Sequence, residues 1–213
     1  LRSISQHSKS VRECRDYVFE TVHRVRQREN PDYLAVSDCH FVGPRSLQVI
    51  TVNGTKRTLK SRKFLISTGA GPVVPVPLLQ AAQTANLTVS TYRSFLNPET
   101  NPLWNMLSNA GDRSLRLVVV GGGATACEWI QSLTRMGNVR IEWVAPAILP
   151  DEDVSLRRAA MQLLVGDSVT WHQGRVVDIG SNKTIYISNN SSTTNVDAVL
   201  FCLGRAAATS KLE

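Results

Sequence analysis

Apolar residues change their spacing several times along this 213-residue chain, and each change predicts an element. Val11, Cys14, Val18, Val22 and Val25 recur at intervals of three and four, so residues 8–29 are expected to form an amphipathic helix. Asn30-Pro31 ends it, because proline lacks the amide that would continue the ladder. Short β-type runs follow at YLAV (33–36), HFV (40–42), LQVITV (47–52) and RTLK (57–60), with Asn53-Gly54 predicting a hairpin over 46–60. FLIS (64–67) reads as a further strand, stopped by Thr68-Gly69-Ala70-Gly71-Pro72. Three prolines in residues 72–78 predict an extended connector, and 89–114 is polar and irregular, with a short helix around LWNML.

The second half is more regular. LRLVVV (115–120), a glycine turn, a helix through Met136 and VRIEWV (139–144) make a strand–turn–helix–strand unit. EDVSLRRAAMQLL fits a second helix, and VTWH, RVVDI and TIYIS are strands, with NNSSTTN as a hairpin tip. DAVLFCLG (197–204) is almost wholly apolar, which suits a strand covered on both faces of a parallel sheet.

Composition narrows the class. The chain is 42% hydrophobic and 19% charged, as in globular proteins, and no long apolar run predicts a membrane span. Its net charge of +7 lies within residues 1–63, where 13 Lys/Arg face 6 Asp/Glu. The basic residues between Arg12 and Arg28 lie largely opposite the apolar stripe and read as a solvated face; with no recognition motif beside them, nucleic acid is not an expected partner. Cys14, Cys39, Cys127 and Cys202 have neither metal-ligand nor C-x-x-C spacing, which suits buried thiols in a reducing, intracellular setting, cytoplasmic or organellar. Residue 1 is Leu and no leader follows, so the sequence is expected to be incomplete. His7, His23, His40 and His172 stand in no triad-like or metal-ligand spacing, and no catalytic or metal-binding residue is expected.

The candidate chemistry sits in VVVGGGATACEW (118–129). Gly121-x-Gly123-x-x-Ala126 between a strand and a helix has the G-x-G-x-x-G/A form of a dinucleotide-binding turn. The first glycine permits the turn, the second lets a diphosphate approach the backbone, and the third position allows close helix packing. Glu142, 21 residues after Gly121, is the candidate ribose acceptor, although it sits mid-strand and reads equally as a solvated strand residue. No arginine directly follows that strand, so these residues leave NAD and NADP open, with NAD favoured. Glu128 either complements the helix N-terminus or faces solvent.

Several segments in order resemble the pyridine nucleotide-disulfide oxidoreductases, the class I flavoenzymes related to dihydrolipoamide dehydrogenase, mercuric reductase and glutathione reductase. FLISTGAGPVVP resembles the family's strand ending in A-T-G, and LVVVGGGATACEWIQSLTRMG its nicotinamide-binding loop and helix. AILPDEDVSLRRAA and DAVLFCLGR resemble the segment after the second strand and the return crossing. The resemblance implies an α/β chain with a three-layer, Rossmann-like NAD(P)-binding domain over 73–203, carrying a small antiparallel meander. An incomplete FAD-binding domain would take 1–72, re-entered at 204–213.

By that mapping Gly121, Gly122, Gly123, Ala124, Thr125, Ala126 and Glu128 meet the nicotinamide nucleotide, with Val176 and Gly204 near it. Thr68, Gly69 and Ala70 meet the flavin, and Cys39 lies where backbone faces the flavin adenine. The implied reaction is hydride transfer between NAD(P)H and FAD, with electrons passed to a disulfide or other acceptor. The first glycine-rich unit, the paired redox cysteines and the dimerisation domain have no counterpart in these residues, and Ala207 replaces the proline of G-R-x-P. The expectation is therefore an internal portion of a longer, homodimeric oxidoreductase, inactive when isolated. The alternative is a nucleotide-binding protein that kept the fold without the redox centre.

Overall fold

The computed structural model describes residues 4–29, 34–136 and 138–212. In chain order the elements are α1 (Ile4–Glu29), β1 (Val36–Gly43), β2 (Ser46–Thr51), β3 (Lys56–Lys60), β4 (Ala70–Pro72), α2 (Val76–Thr84), β5 (Thr88–Thr91), α3 (Pro102–Asn109) and β6 (Leu115–Val120). There follow α4 (Ala124–Met136), β7 (Val139–Ala145), α5 (Val154–Leu164), β8 (Val169–Gln173), β9 (Val176–Ile179), β10 (Ile185–Ile187), β11 (Ser192–Thr193), β12 (Ala198–Phe201) and β13 (Arg205–Ala207). The chain divides into two compact units. One holds Pro72–Arg205 with the residues through Cys14; the other holds Arg15–Gly71 and Ala206–Glu213.

The larger unit is built on a five-stranded, all-parallel sheet in the order β5-β12-β6-β7-β8. Alternation along its strands sends side chains to two different cores. Leu117, Val119, Ile141, Trp143 and Leu200 face one way, into a core completed by Leu103 and Trp104 of α3 and Ala126, Ile130 and Leu133 of α4. Val118, Val120, Val144, Val199 and Phe201 face the other way, packed with Leu78 and Ala82 of α2 and Ile179, Ile185 and Ile187 of the β9–β10–β11 meander. Helices, sheet and meander thus form three layers, and the apolar β12 lies inside the sheet with all four residues buried. The fold is α/β and Rossmann-like.

The smaller unit carries the antiparallel sheet β1-β2-β3, with the expected hairpin over β2 and β3. Phe41 and Phe64 meet edge to face at 5.1 Å, and the Phe41 amide donates to the Leu212 carbonyl at 2.9 Å. β4 and β13 pair with each other as a two-stranded sheet.

Five expectations change. FLIS forms no strand: the segment has no ladder partner among the described residues, and Leu65 is 96% exposed. The connector over 72–78 gives way to α2 from Val76 onward. Pro77 falls in its first turn, where no amide is needed. The irregular stretch contains β5 as well as α3, and the run at 33–36 begins its strand only at Val36, with Tyr33 outside the described residues. The helix at 8–29 extends to Ile4, but its stripe is not buried throughout: Val11 packs on the helix-side core whereas Val18 and Val22 are exposed. Among the described residues no helix is long and apolar enough to cross a membrane.

Candidate functional site

The glycine turn connects β6 to α4 at the carboxyl edge of the parallel sheet, beside the point where strand order reverses. β7 follows β6 on one side, while β12 flanks it on the other. In open α/β sheets this crevice is where ligands bind. Each glycine of the run has a different reason to lack a side chain. Gly121 has φ +125°, and a Cβ there would lie 2.3 Å from the Cys202 carbonyl oxygen. A Cβ on Gly122 would lie 1.8 Å from the Ala147 carbonyl oxygen. A Cβ on Gly123 would meet nothing within 4 Å, so here the absent side chain leaves open space in front of the helix.

The turn is pinned from behind. The Gly121 amide donates to the Val144 carbonyl at 3.0 Å, the Leu149 amide donates to the Gly122 carbonyl at 2.6 Å, and the Cys202 amide donates to the Val120 carbonyl at 2.8 Å. The indole N–H of fully buried Trp143 donates to the Gly121 carbonyl at 2.7 Å. Trp143→Phe keeps most of the apolar volume but orphans that carbonyl, a loss of about 1–3 kcal/mol. Equilibrium denaturation of the two proteins measures it. By contrast, the amides of Gly122, Gly123, Ala124 and Thr125 take no partner among the described residues. Gly123 and Ala124 are exposed. Free amides over a helix N-terminus, backed by a rigid strand, form an anion cradle.

Ala126, where the motif's third glycine would stand, is wholly buried against the sheet, so its methyl is core rather than obstruction. Glu128 is exposed on the second turn of α4. Two thiols flank the turn. Burial pushes Cys202 up to about 12, with Cys127 adding to the shift, and burial also raises Cys127. Both are therefore neutral at physiological pH and serve as packing groups rather than nucleophiles.

Glu142 stands in the middle of β7, level with Val118 and Thr170. Its carboxylate meets His172 Nε2 at 2.6 Å and Arg116 Nε at 3.7 Å, a cross-strand cluster on the sheet face that leaves Glu142 14% exposed. Val176 opens β9, paired with Ile187, and Gly204 has φ +89° with its carbonyl accepting from the Val73 amide. In the smaller unit, Thr68 is exposed, Gly69 has φ +78° and accepts from the Ala208 amide, and Ala70 opens β4. Cys39 lies half-buried in β1 opposite Val49. The structure thus groups Gly121–Glu128, Glu142, Val176 and Gly204 in one unit and Cys39 and Thr68–Ala70 in the other.

Sequence reasoning treated Gly122 as the free position of G-x-G; its packing on Ala147 becomes visible only in three dimensions. It also passed over Arg157 and Arg158. With Ala147, Ile148, Met161 and Trp171, these two arginines line a cavity of about 490 Å³ next to the turn.

Among the solved structures that share the fold are three flavoprotein or NAD-dependent reductases. The HOCl-induced flavoprotein disulfide reductase RclA from Escherichia coli is 22% identical over 82% of this chain and 37% of its own, with TM-score 0.60. An NAD-dependent persulfide reductase from A. fulgidus is 17% identical over 87% and 34%, with TM-score 0.59. An FAD-dependent pyridine nucleotide-disulphide oxidoreductase from Desulfovibrio vulgaris is 20% identical over 83% and 44%, with TM-score 0.55. This chain therefore spans less than half the length of each. No curated protein sequence matches it. The profile of the pyridine nucleotide-disulphide oxidoreductases, a family of FAD-binding enzymes that use NAD(P)H, matches residues 6–213, and with nearly the whole chain inside that match, the chain belongs to this family.

Proposed function

We propose that this chain supplies the nicotinamide-nucleotide side of an FAD-dependent NAD(P)H oxidoreductase of the class I type, whose electrons pass on to a disulfide or other acceptor. The observation that carries the reading is the set of amides from Gly122 to Thr125 that take no partner among the described residues, with Gly123 and Ala124 exposed, in front of a helix and inside a parallel β6–α4–β7 crossover. A diphosphate fits that cradle because the open side of Gly123 offers room where any side chain would intrude. When bound, the two cofactors supply the redox chemistry, a hydride passing from NAD(P)H to the flavin N5. The residues of this chain bind and orient. Gly122–Thr125 hold the diphosphate, with Glu128, Val176 and Gly204 near the rest of the nucleotide. Thr68, Gly69, Ala70 and the Cys39 backbone form part of the flavin contact. The domain boundaries near residues 72 and 204, and a homodimeric full-length protein, belong to the same proposal.

In this reading Glu142 holds β6, β7 and β8 together through Arg116 and His172 rather than holding a ribose, since its carboxylate is already engaged below the strand end. Fluorescence titration of NADH and NADPH against the 213-residue chain tests the reading. Saturable but weak binding is expected, with no flavin retained through purification. A yellow preparation, or no response to either nucleotide, contradicts it.

A further inference from the structure

The smaller unit concentrates positive charge on its hairpin. Arg45, Lys56, Arg57, Lys60, Arg62 and Lys63 lie on β3 or beside it, and all six are exposed. No Asp or Glu occurs between Asp38 and Glu99. None of the six side chains has an ion-pair or hydrogen-bond partner among the described residues. The acid in the same sheet is Asp38 on β1, level with Lys56 but separated from it by Ile50 of β2.

β3 is also an edge with open main-chain groups. It ends the order β1-β2-β3, and every one of its residues is exposed. In an antiparallel pair, hydrogen-bonded and non-bonded residue pairs alternate. The Thr51 amide donates to the Thr55 carbonyl at 3.0 Å and the Ser61 amide to the Arg45 carbonyl at 3.2 Å, which marks the bonded pairs at both ends of the hairpin. Counting by twos between them makes Arg57 and Leu59 the bonded residues of β3, opposite Val49 and Leu47. Lys56, Thr58 and Lys60 therefore turn their amides and carbonyls away from β2, toward the open edge.

An added strand finds two kinds of partner there. Side chains alternate across β3, so Lys56, Thr58 and Lys60 share one face and Arg57 and Leu59 the other. Carboxylates at every second position of the added strand would stand against Lys56 and Lys60. The apolar residues between them would lie beside Leu59, which is 41% exposed. Lysines on an edge repel a second copy of the same basic edge, and they attract a strand of opposite charge. Single-stranded nucleic acid is the poorer fit, since residues 45–63 hold no aromatic side chain on which a base could stack.

We propose that β3 is a docking edge for an acidic, extended segment of a partner protein, added beside β3 to the β1-β2-β3 sheet with its carboxylates on Lys56 and Lys60.

The test is fluorescence anisotropy of a labelled peptide of alternating Glu and Val with the 213-residue chain, with Lys56→Glu/Lys60→Glu and with Thr58→Pro. Both lysines are exposed, and proline at 58 removes only an amide that β2 does not use, so thermal melts should match that of the unaltered chain. Saturable binding is expected, weakened about tenfold or more in either variant. Thr58→Pro keeps every charge, so its loss reads the main chain alone. In the unaltered chain the Lys56, Thr58 and Lys60 amides should gain protection from hydrogen exchange, read by NMR, while those of Arg57 and Leu59 stay as they were. Absence of binding overturns the proposal, as does undiminished binding to Thr58→Pro. So does equal or tighter binding of an oligothymidylate, or of a peptide with the same Glu and Val in two blocks. Should Thr58→Pro melt early, the exchange measurement decides by itself: no added protection at Lys56, Thr58 and Lys60 overturns the docking edge.

Discussion

Gly122→Ala is expected to destabilise the larger unit by about 3 kcal/mol, the upper end of the cost of forcing an extra methyl into a packed interior. The size follows from what the methyl meets. The Ala147 carbonyl oxygen would stand 1.8 Å away, and it belongs to backbone that cannot rotate aside. That backbone is also tied to the turn by the Leu149 amide on the Gly122 carbonyl, so relief requires the 146–149 loop to move and a buried hydrogen bond to break. Thermal unfolding followed by circular dichroism should show a fall in Tm of ~10 °C. Gly122 carries no unusual φ, so the loss would report close approach alone.

Gly123→Val is expected to do the reverse. Its side chain enters empty space, so the fold should persist with a loss of about 1 kcal/mol or less from a poorer helix start. Nucleotide binding should fall by about a hundredfold or more, because the isopropyl group occupies the volume in which the diphosphate meets the amides. Titration of NADH and NADPH against a variant with an unchanged melting curve measures this. Neighbouring glycines thus separate into one that the fold needs and one that the ligand needs.

How much of this could be read from the chain follows from where the partners of each residue lie. The β6–α4–β7 unit was legible because its strand, turn and helix are contiguous, and each carries its own periodicity. The apolar β12 was legible for the same reason, since burial on both faces leaves a mark on every residue. β5 was not, because its TVST sequence is polar. Ser90 is nevertheless buried, its hydroxyl donating to Asn101 Oδ1 at 3.0 Å, a partner eleven residues away. α2 was hidden behind Pro75 and Pro77, which read as an extended segment although a proline in the first turn costs a helix nothing.

The same rule divides the site. The G-x-G-x-x-A pattern located the turn and the roles of Gly121 and Ala126, because these depend on local backbone and the helix that follows. The contact of Gly122 with Ala147, the engagement of Glu142 by His172, and the approach of Arg157 and Arg158 to the strand end all join distant residues. Only the packing of α5 beside β8 brings the arginines to the loop that follows β7. FLIS failed as a strand for the converse reason: β-propensity alone does not supply a neighbour.

The most direct measurement is an amide-resolved NMR titration of the 213-residue chain with ADP-ribose, which carries the diphosphate without the nicotinamide. The Gly122, Gly123, Ala124 and Thr125 amide resonances should move together and saturate, while amides already bonded within the protein, such as that of Cys202, stay nearly still. Saturable binding that leaves those four resonances in place, or no binding at millimolar ligand, would contradict the anion cradle.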